Sequence, residues 1–146
     1  MNDRVREWSR DDYLVSTDRS RLEPGRVLEL LRSTHWAGEL TSARLALAIE
    51  NSVSFGVYAG SDLVGFGRVV TDLATYGYIT DVVVSAAHRG RGLGAWLTEC
   101  MLGHPELQGF RRMALVTRDA EALYAALGFQ RGAGALVYME HRRTNV

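Results

Sequence analysis

Three runs of period-two hydrophobicity follow one another between Ser54 and Val84 with almost no chain between them: SFGVYAG (54–60), LVGFGRVVTD (63–72) and TYGYITDVVV (75–84). Alternation of this kind predicts strands. Gly60-Ser61-Asp62 is a hairpin signal, and the turn around Asp72 to Ala74 is the only chain left for the second link. A parallel crossover needs about a dozen residues, so these three strands must form an antiparallel meander. The rest of the chain has to be arranged around that sheet.

Upstream, Arg4 to Leu14 carries alternating charges and predicts a short edge strand. From Pro24 the period changes: Val27, Leu28, Leu30 and Leu31 recur at helical spacing, with Pro24 near the start, where its missing N–H costs least. STHWAG (33–38) interrupts this helix. Ala43 to Ile49, flanked by Thr41 and Glu50, predicts a second. Downstream of the meander, Leu93, Trp96, Leu97, Cys100 and Met101 form one helical stripe, which Gly103 and Pro105 end. RRMALVT (111–117) predicts another strand. DAEALYAALGF predicts a helix opened by Asp119 as N-cap and closed at Gly128, and Ala135 to Met139 predicts a last strand. With no linker and no internal repeat, the expectation is one α+β domain over residues 1–146.

Length and charge narrow the function. A chain of 146 residues buries a single core, so one site is expected. The 17 basic and 17 acidic side chains cancel, which leaves no overall field to hold a nucleic-acid backbone. There is no lysine, which excludes a Walker-type phosphate lysine and a Schiff-base lysine. The N-terminal stretch MNDRVREWSRDDY has no apolar h-region, and no run approaches the roughly 20 apolar residues that span a bilayer, so a cytoplasmic protein without a membrane partner is expected. Cys100, the only cysteine, cannot form an internal disulfide; on the helical stripe it is expected to be a packed thiol. The four histidines show no metal-ligand spacing, and no metal is expected.

HRGRGLGAWL (88–97) carries the chemistry. Alternating glycines between a strand and a helix let backbone N–H groups approach a ligand, and the helix N-terminus adds partial positive charge. Together they make an anion site suited to a pyrophosphate, which Arg89 and Arg91 strengthen. The bland alternative is a tight turn with two solvated arginines. Gly90, Gly92 and Ala95 also satisfy the dinucleotide fingerprint G-x-G-x-x-G/A, but that fold needs a parallel sheet with several further strand–helix units, for which this chain has no room.

Arg89, Gly92 and Gly94 equally satisfy R-x-x-G-x-G. DVVVSAAHRGRGLG (81–94) resembles the fourth strand and pyrophosphate loop of the GNAT superfamily of N-acetyltransferases. TRDAEALYAALGF (117–129) is similar to its N-x-x-A-x-x-L-Y-x-x-x-G-F signature, with Ala120, Leu123, Tyr124, Gly128 and Phe129 in register. Thr117 stands at the asparagine position and Ala86 where a proline is frequent. The resemblance implies a mixed central sheet with an antiparallel N-terminal meander, splayed between strands four and five and flanked by helices. It implies acetyl-CoA as the acyl donor, with its pyrophosphate on Arg89, Gly90, Arg91, Gly92, Leu93, Gly94 and Ala95. The pantetheine amides would lie on the backbone of Val82, Val83 and Val84, and Thr117 would lie near coenzyme A. An N–H near Val83 would polarise the thioester carbonyl, and Tyr124 would protonate the departing thiolate, which a phenol with a pKa of about 10 can do at neutral pH. Without the motif, Tyr124 would be a core residue with its hydroxyl at the rim.

Asp81, among apolar neighbours, is the first candidate for the base, or else a structural hydrogen-bond acceptor; Asp72, at a turn, is the second. His35 and Trp36 fall where the family builds the acceptor wall, and Trp36 could equally pack under the sheet. His88 either bonds coenzyme A or is solvated. The implied reaction moves an acetyl group to a primary amine of a small molecule or peptide by direct attack in a ternary complex, from a homodimer as is common in the superfamily. The alternative is a non-catalytic module of the same fold that binds or senses acyl-CoA.

Overall fold

The three expected strands are Val53–Ala59 (β3), Asp62–Thr71 (β4) and Tyr76–Val84 (β5), paired antiparallel in sequence order. The computed structural model describes residues 4–34, 38–132 and 134–143. Where one edge strand is expected between Arg4 and Leu14, the chain forms a hairpin of Glu7–Arg10 (β1) and Tyr13–Ser16 (β2). Asp11 supplies the turn at φ +53°, a conformation that aspartate tolerates better than most residues, so no glycine announces the hairpin. β2 continues the antiparallel ladder onto β3. Arg112–Ala114 (β6) pairs with β5 in parallel, giving a mixed sheet of six strands in the order β1-β2-β3-β4-β5-β6 among the described residues.

Helices cover the sheet. Pro24–Arg32 (α1) and Ser42–Glu50 (α2) lie where the helical spacing puts them, and Thr41 caps α2 by accepting the Arg44 N–H at 3.2 Å. They bury Leu31 and Leu45 against Tyr58, Phe66 and Val83. The opposite side of the sheet is covered by Leu93–Gly103 (α3), which packs Trp96, Leu97, Cys100 and Met101 on Phe55, Val57, Val69 and Ile79. β3 runs between the two layers and is buried almost throughout.

Two expectations fail near the C-terminus. The last helix, Glu121–Ala126 (α4), begins after Ala120 without a side-chain cap, and Asp119 is not its N-cap. The Thr117 hydroxyl accepts the Ala120 N–H at 3.0 Å instead, closing a turn one residue past the aspartate. Ala135 to Met139 is not a strand: the sheet ends at the three-residue β6, and Leu136 through Met139 stay largely exposed without a ladder.

Cys100 is buried, and burial pushes its thiol up to about 12, so it packs as a small apolar group. His104, just past α3, is 3% exposed; its Nδ1 accepts the Glu106 N–H at 3.0 Å and its ring packs on Trp8 and Phe55. Burial holds its pKa below 6.5, with Arg6 reinforcing and Glu106 opposing the shift. The unfolded chain therefore takes up this proton more readily than the folded one. Its contribution to stability is complete above the unfolded value and is lost as pH falls through the folded value. The thermal midpoint is expected to drop between pH 7 and pH 5, and His104→Asn, which keeps an acceptor for Glu106, is expected to flatten that slope. Melting curves across this range check the point; an identical slope in the variant would assign the drop to other groups.

Candidate active site

The site begins where β5 leaves the regular ladder. Phe66 is opposite Val83 and Arg68 opposite Thr80, so Asp81 and Val82 together face the single residue Gly67. This is a β-bulge, with Asp81 at φ +58°. Two contacts hold it. Arg68 Nε donates to Asp81 Oδ2 at 2.7 Å between side chains 18% and 12% exposed. Gly67 lets α3 approach, since a Cβ there would lie 2.6 Å from Met101 Cε. The bulge bends the strand and switches its faces, so that Val83 packs toward α1 and α2 while Val82 and Val84 pack toward α3. β5 pairs with β6 only over Tyr76–Tyr78. Beyond Tyr78 its β6-facing backbone has no ladder partner among the described residues. This is the splay expected between the family's strands four and five, here the fifth and sixth because the N-terminal hairpin supplies two.

Immediately after β5, Ser85 N–H closes onto Val64 C=O at 2.8 Å, and one short turn over Ala86–His88 leads into the glycine loop. Gly90 and Gly92 adopt φ +78° and +74°. Gly92 is the N-cap of α3 and offers no side chain to it; the first helical bond runs from Trp96 N–H to Gly92 C=O. The N–H groups of Leu93, Gly94 and Ala95 thus end α3 without helical acceptors, at the positive end of its dipole.

The arginines are placed by different elements. Arg89 Nε donates to Val84 C=O at 3.1 Å, tying the loop to the end of β5. Arg91 reaches across to the N-terminal hairpin, where its Nη1 donates to the Tyr13 hydroxyl at 2.8 Å. That hydroxyl lies 2.8 Å from His88 Nδ1, and the two rings meet edge-on. The chain Arg91 to Tyr13 to His88 runs in one direction when His88 carries its proton on Nε2. Arg10 lies over the Trp96 ring at 5.9 Å, and a cavity of about 450 Å³ opens between hairpin and loop. Neither Tyr13 nor Arg10 was predicted as a site residue, because some 80 positions separate them from the loop and only the sheet brings them there.

Tyr124 lies on α4, and its ring packs edge-on against Phe129 at 5.8 Å between centroids. Burial pushes its phenol above the ordinary value of 10. α4 meets the start of α3: a Cβ on Gly94 would lie 3.9 Å from Leu123 Cδ1. The helix of the tyrosine therefore adjoins the end of the loop. Thr117 uses its hydroxyl within its own turn. Asp72 spends its carboxylate on the N–H groups of Ala74 and Thr75 and on the Thr75 hydroxyl, which hold it far below the usual carboxylate range. Its carboxylate closes its own turn. His35 and Trp36 lie outside the described residues. Among the described residues no group of three or more His, Cys, Asp or Glu side chains is placed to hold a metal, and no helix is long and apolar enough to cross a membrane.

Comparison with known proteins agrees with this geometry. The sequence model of the Acetyltransferase (GNAT) family matches residues 3–129. A candidate acetyltransferase of Gibberella zeae is 36% identical over 141 residues, covering 80% of this chain and 78% of its own length. The crystal structure of a candidate GNAT-family acetyltransferase from Xanthomonas campestris pv. campestris superposes with a TM-score of 0.85 at 38% identity, covering 92% of this chain and 96% of that one. Glucosamine-6-phosphate N-acetyltransferase from Arabidopsis thaliana, at 19% identity, shares the fold with a TM-score of 0.65 over 88% of this chain and 99% of that one. The chain belongs to the GNAT family of acetyltransferases.

Proposed function

We propose that the protein transfers the acetyl group of acetyl-CoA to a primary amine of a small molecule or peptide, by direct attack within a ternary complex. One observation carries this reading: the unladdered end of β5 leads, through one short turn and the glycine loop, to a helix N-terminus that no side chain caps. The residues fit the donor that the family implies. A pyrophosphate needs convergent N–H donors with no Cβ in the way, and Gly90 and Gly92 have only open space or the tip of Arg10 within 4 Å of where a Cβ would stand.

Arg89, Gly90, Arg91, Gly92, Leu93, Gly94 and Ala95 would hold the pyrophosphate, mainly through backbone N–H groups. The backbone of Val82, Val83 and Val84 would replace the missing ladder with hydrogen bonds to the pantetheine amides, and Thr117 would border the same arm. When bound, acetyl-CoA supplies the thioester that the amine attacks. A backbone N–H near Val83, turned by the bulge, would stabilise charge on the carbonyl oxygen; removing one such donor costs about 10²–10³ in rate in enzymes where it has been tested. Tyr124 would give its proton to the departing sulfur, and burial keeps that proton in place through the neutral range. Asp81, with Oδ2 committed to Arg68, keeps Oδ1 for the proton of the attacking amine.

The test is a titration of the purified protein with acetyl-CoA, followed by thiol release against a panel of primary amines. Binding and amine-dependent release are expected. Binding without release on any amine would favour an acyl-CoA sensing module, and no binding would remove the reading.

A further inference from the structure

The acceptor side of the bulge carries a charge pair whose spare hydrogen-bonding groups point to a class of substrate. Phe66 faces α1 and α2, and Arg68, two residues on in the same strand, faces the same side. There it meets Asp81 through Nε alone. Its Nη1 and Nη2 make no hydrogen bond to any described residue, and neither does Asp81 Oδ1. The pair is largely withdrawn from water, yet four of the five guanidinium N–H donors and one carboxylate oxygen are unspent. Tyr78 stands on the same side of β5, opposite Val70. The pair is also adjacent to Val82 and Val83, where the acyl carbon is placed by the proposed function.

Resting on that reading, we infer that the acceptor is an α-amino acid or a close analogue: its carboxylate is received by the two terminal nitrogens of Arg68 while its amine faces Asp81 Oδ1. A guanidinium presents paired N–H groups in the plane that a carboxylate matches, and Asp81 fixes that plane through Nε. An α-amino acid carries amine and carboxylate on one carbon, so a single ion pair can receive both. Attack by the neutral amine forms the amide N–C bond and breaks the thioester C–S bond. The amine proton leaves toward Asp81, and Tyr124 protonates the thiolate. A polyamine would instead set an uncompensated cation against Arg68.

The experiment supplies acetyl-CoA at saturation and compares each of a set of free L-amino acids with its own carboxamide, reading thiol release as kcat/KM. The carboxamide is the less basic amine and is more fully neutral at pH 8, so intrinsic reactivity favours it. A preference for the acid must therefore come from recognition. At least one amino acid is expected to exceed its carboxamide by about ten- to a hundredfold, the range of a charge-assisted contact. Arg68→Lys is expected to reduce the ratio and Arg68→Gln to bring it to one or below, in variants whose circular dichroism and thermal midpoint match wild type. The inference is overturned if acids and carboxamides are used alike, if the ratio survives Arg68→Gln, or if acetyl-CoA binds and only amines without a carboxylate, or none, are acetylated. Failure of acetyl-CoA to bind at all would instead strike the proposed function.

Discussion

Gly92→Asp is expected to weaken acetyl-CoA binding by about a hundredfold or more while the protein stays folded. Gly92 is both the N-cap of α3 and a residue at φ +74°, so its substitution acts where the pyrophosphate N–H donors converge. Aspartate tolerates positive φ at a cost of about 1–2 kcal/mol and is a good N-cap, so helix and fold should survive. Its carboxylate, however, occupies the anion's place. Two like charges about 4 Å apart in a partly exposed site repel by about 4 kcal/mol, and each 1.4 kcal/mol is tenfold in affinity. A Cβ at Gly92 would stand 3.8 Å from Arg10 Nη2, so the new carboxylate would also engage a cation that borders the loop. Gly109→Asp is the matched control: φ is +80° there, nothing lies within 4 Å, and the position precedes β6, away from the loop. Isothermal titration of both variants checks the point. Equal loss in the two would trace the effect to backbone strain; wild-type affinity in Gly92→Asp would mean that the loop is only a turn.

Tyr124→Phe is expected to lower kcat by about 10²–10⁴, the usual range for loss of a positioned acid, with the KM for acetyl-CoA changed by less than about threefold. The ring contact with Phe129 does not involve the hydroxyl, so packing and melting temperature should be nearly unaffected. The pH profile separates a proton donor from a core residue. A general acid works while protonated, and burial moves this phenol above 10, so Tyr124 imposes no alkaline limb below that value. The wild-type rate should rise through the neutral range as the amine loses its proton. A limb near pH 8 that disappears in Tyr124→Phe would contradict the assignment, as would unchanged turnover.

The N-terminal hairpin shows how far local patterns reach. Arg4 to Leu14 has a weak period and no glycine at its turn, yet it forms two strands, because β3 offers an edge and Asp11 accepts positive φ. Ala135 to Met139 is the converse, a strongly apolar run that joins no ladder and stays exposed from Leu136 to Met139. At the last helix the start falls one residue later than Asp119, and the Thr117 hydroxyl accepts the Ala120 N–H just before it.

By itself the sequence determined the meander, the helices and the loop. Short links force antiparallel pairing, helical stripes force burial, and alternating glycines ahead of a stripe force an open helix N-terminus; all are local constraints of chain length and backbone geometry. The tertiary structure alone decided what surrounds the loop. Tyr13 meets Arg91 and His88 across the sheet, and α4 comes to rest by Gly94. The bulge at Asp81 is decided there too: an aspartate in a strand carries no sign of positive φ, and it is the neighbouring strand that brings Arg68 to its carboxylate and Gly67 to leave room for α3. Such pairings depend on register between distant segments, which only the assembled sheet sets.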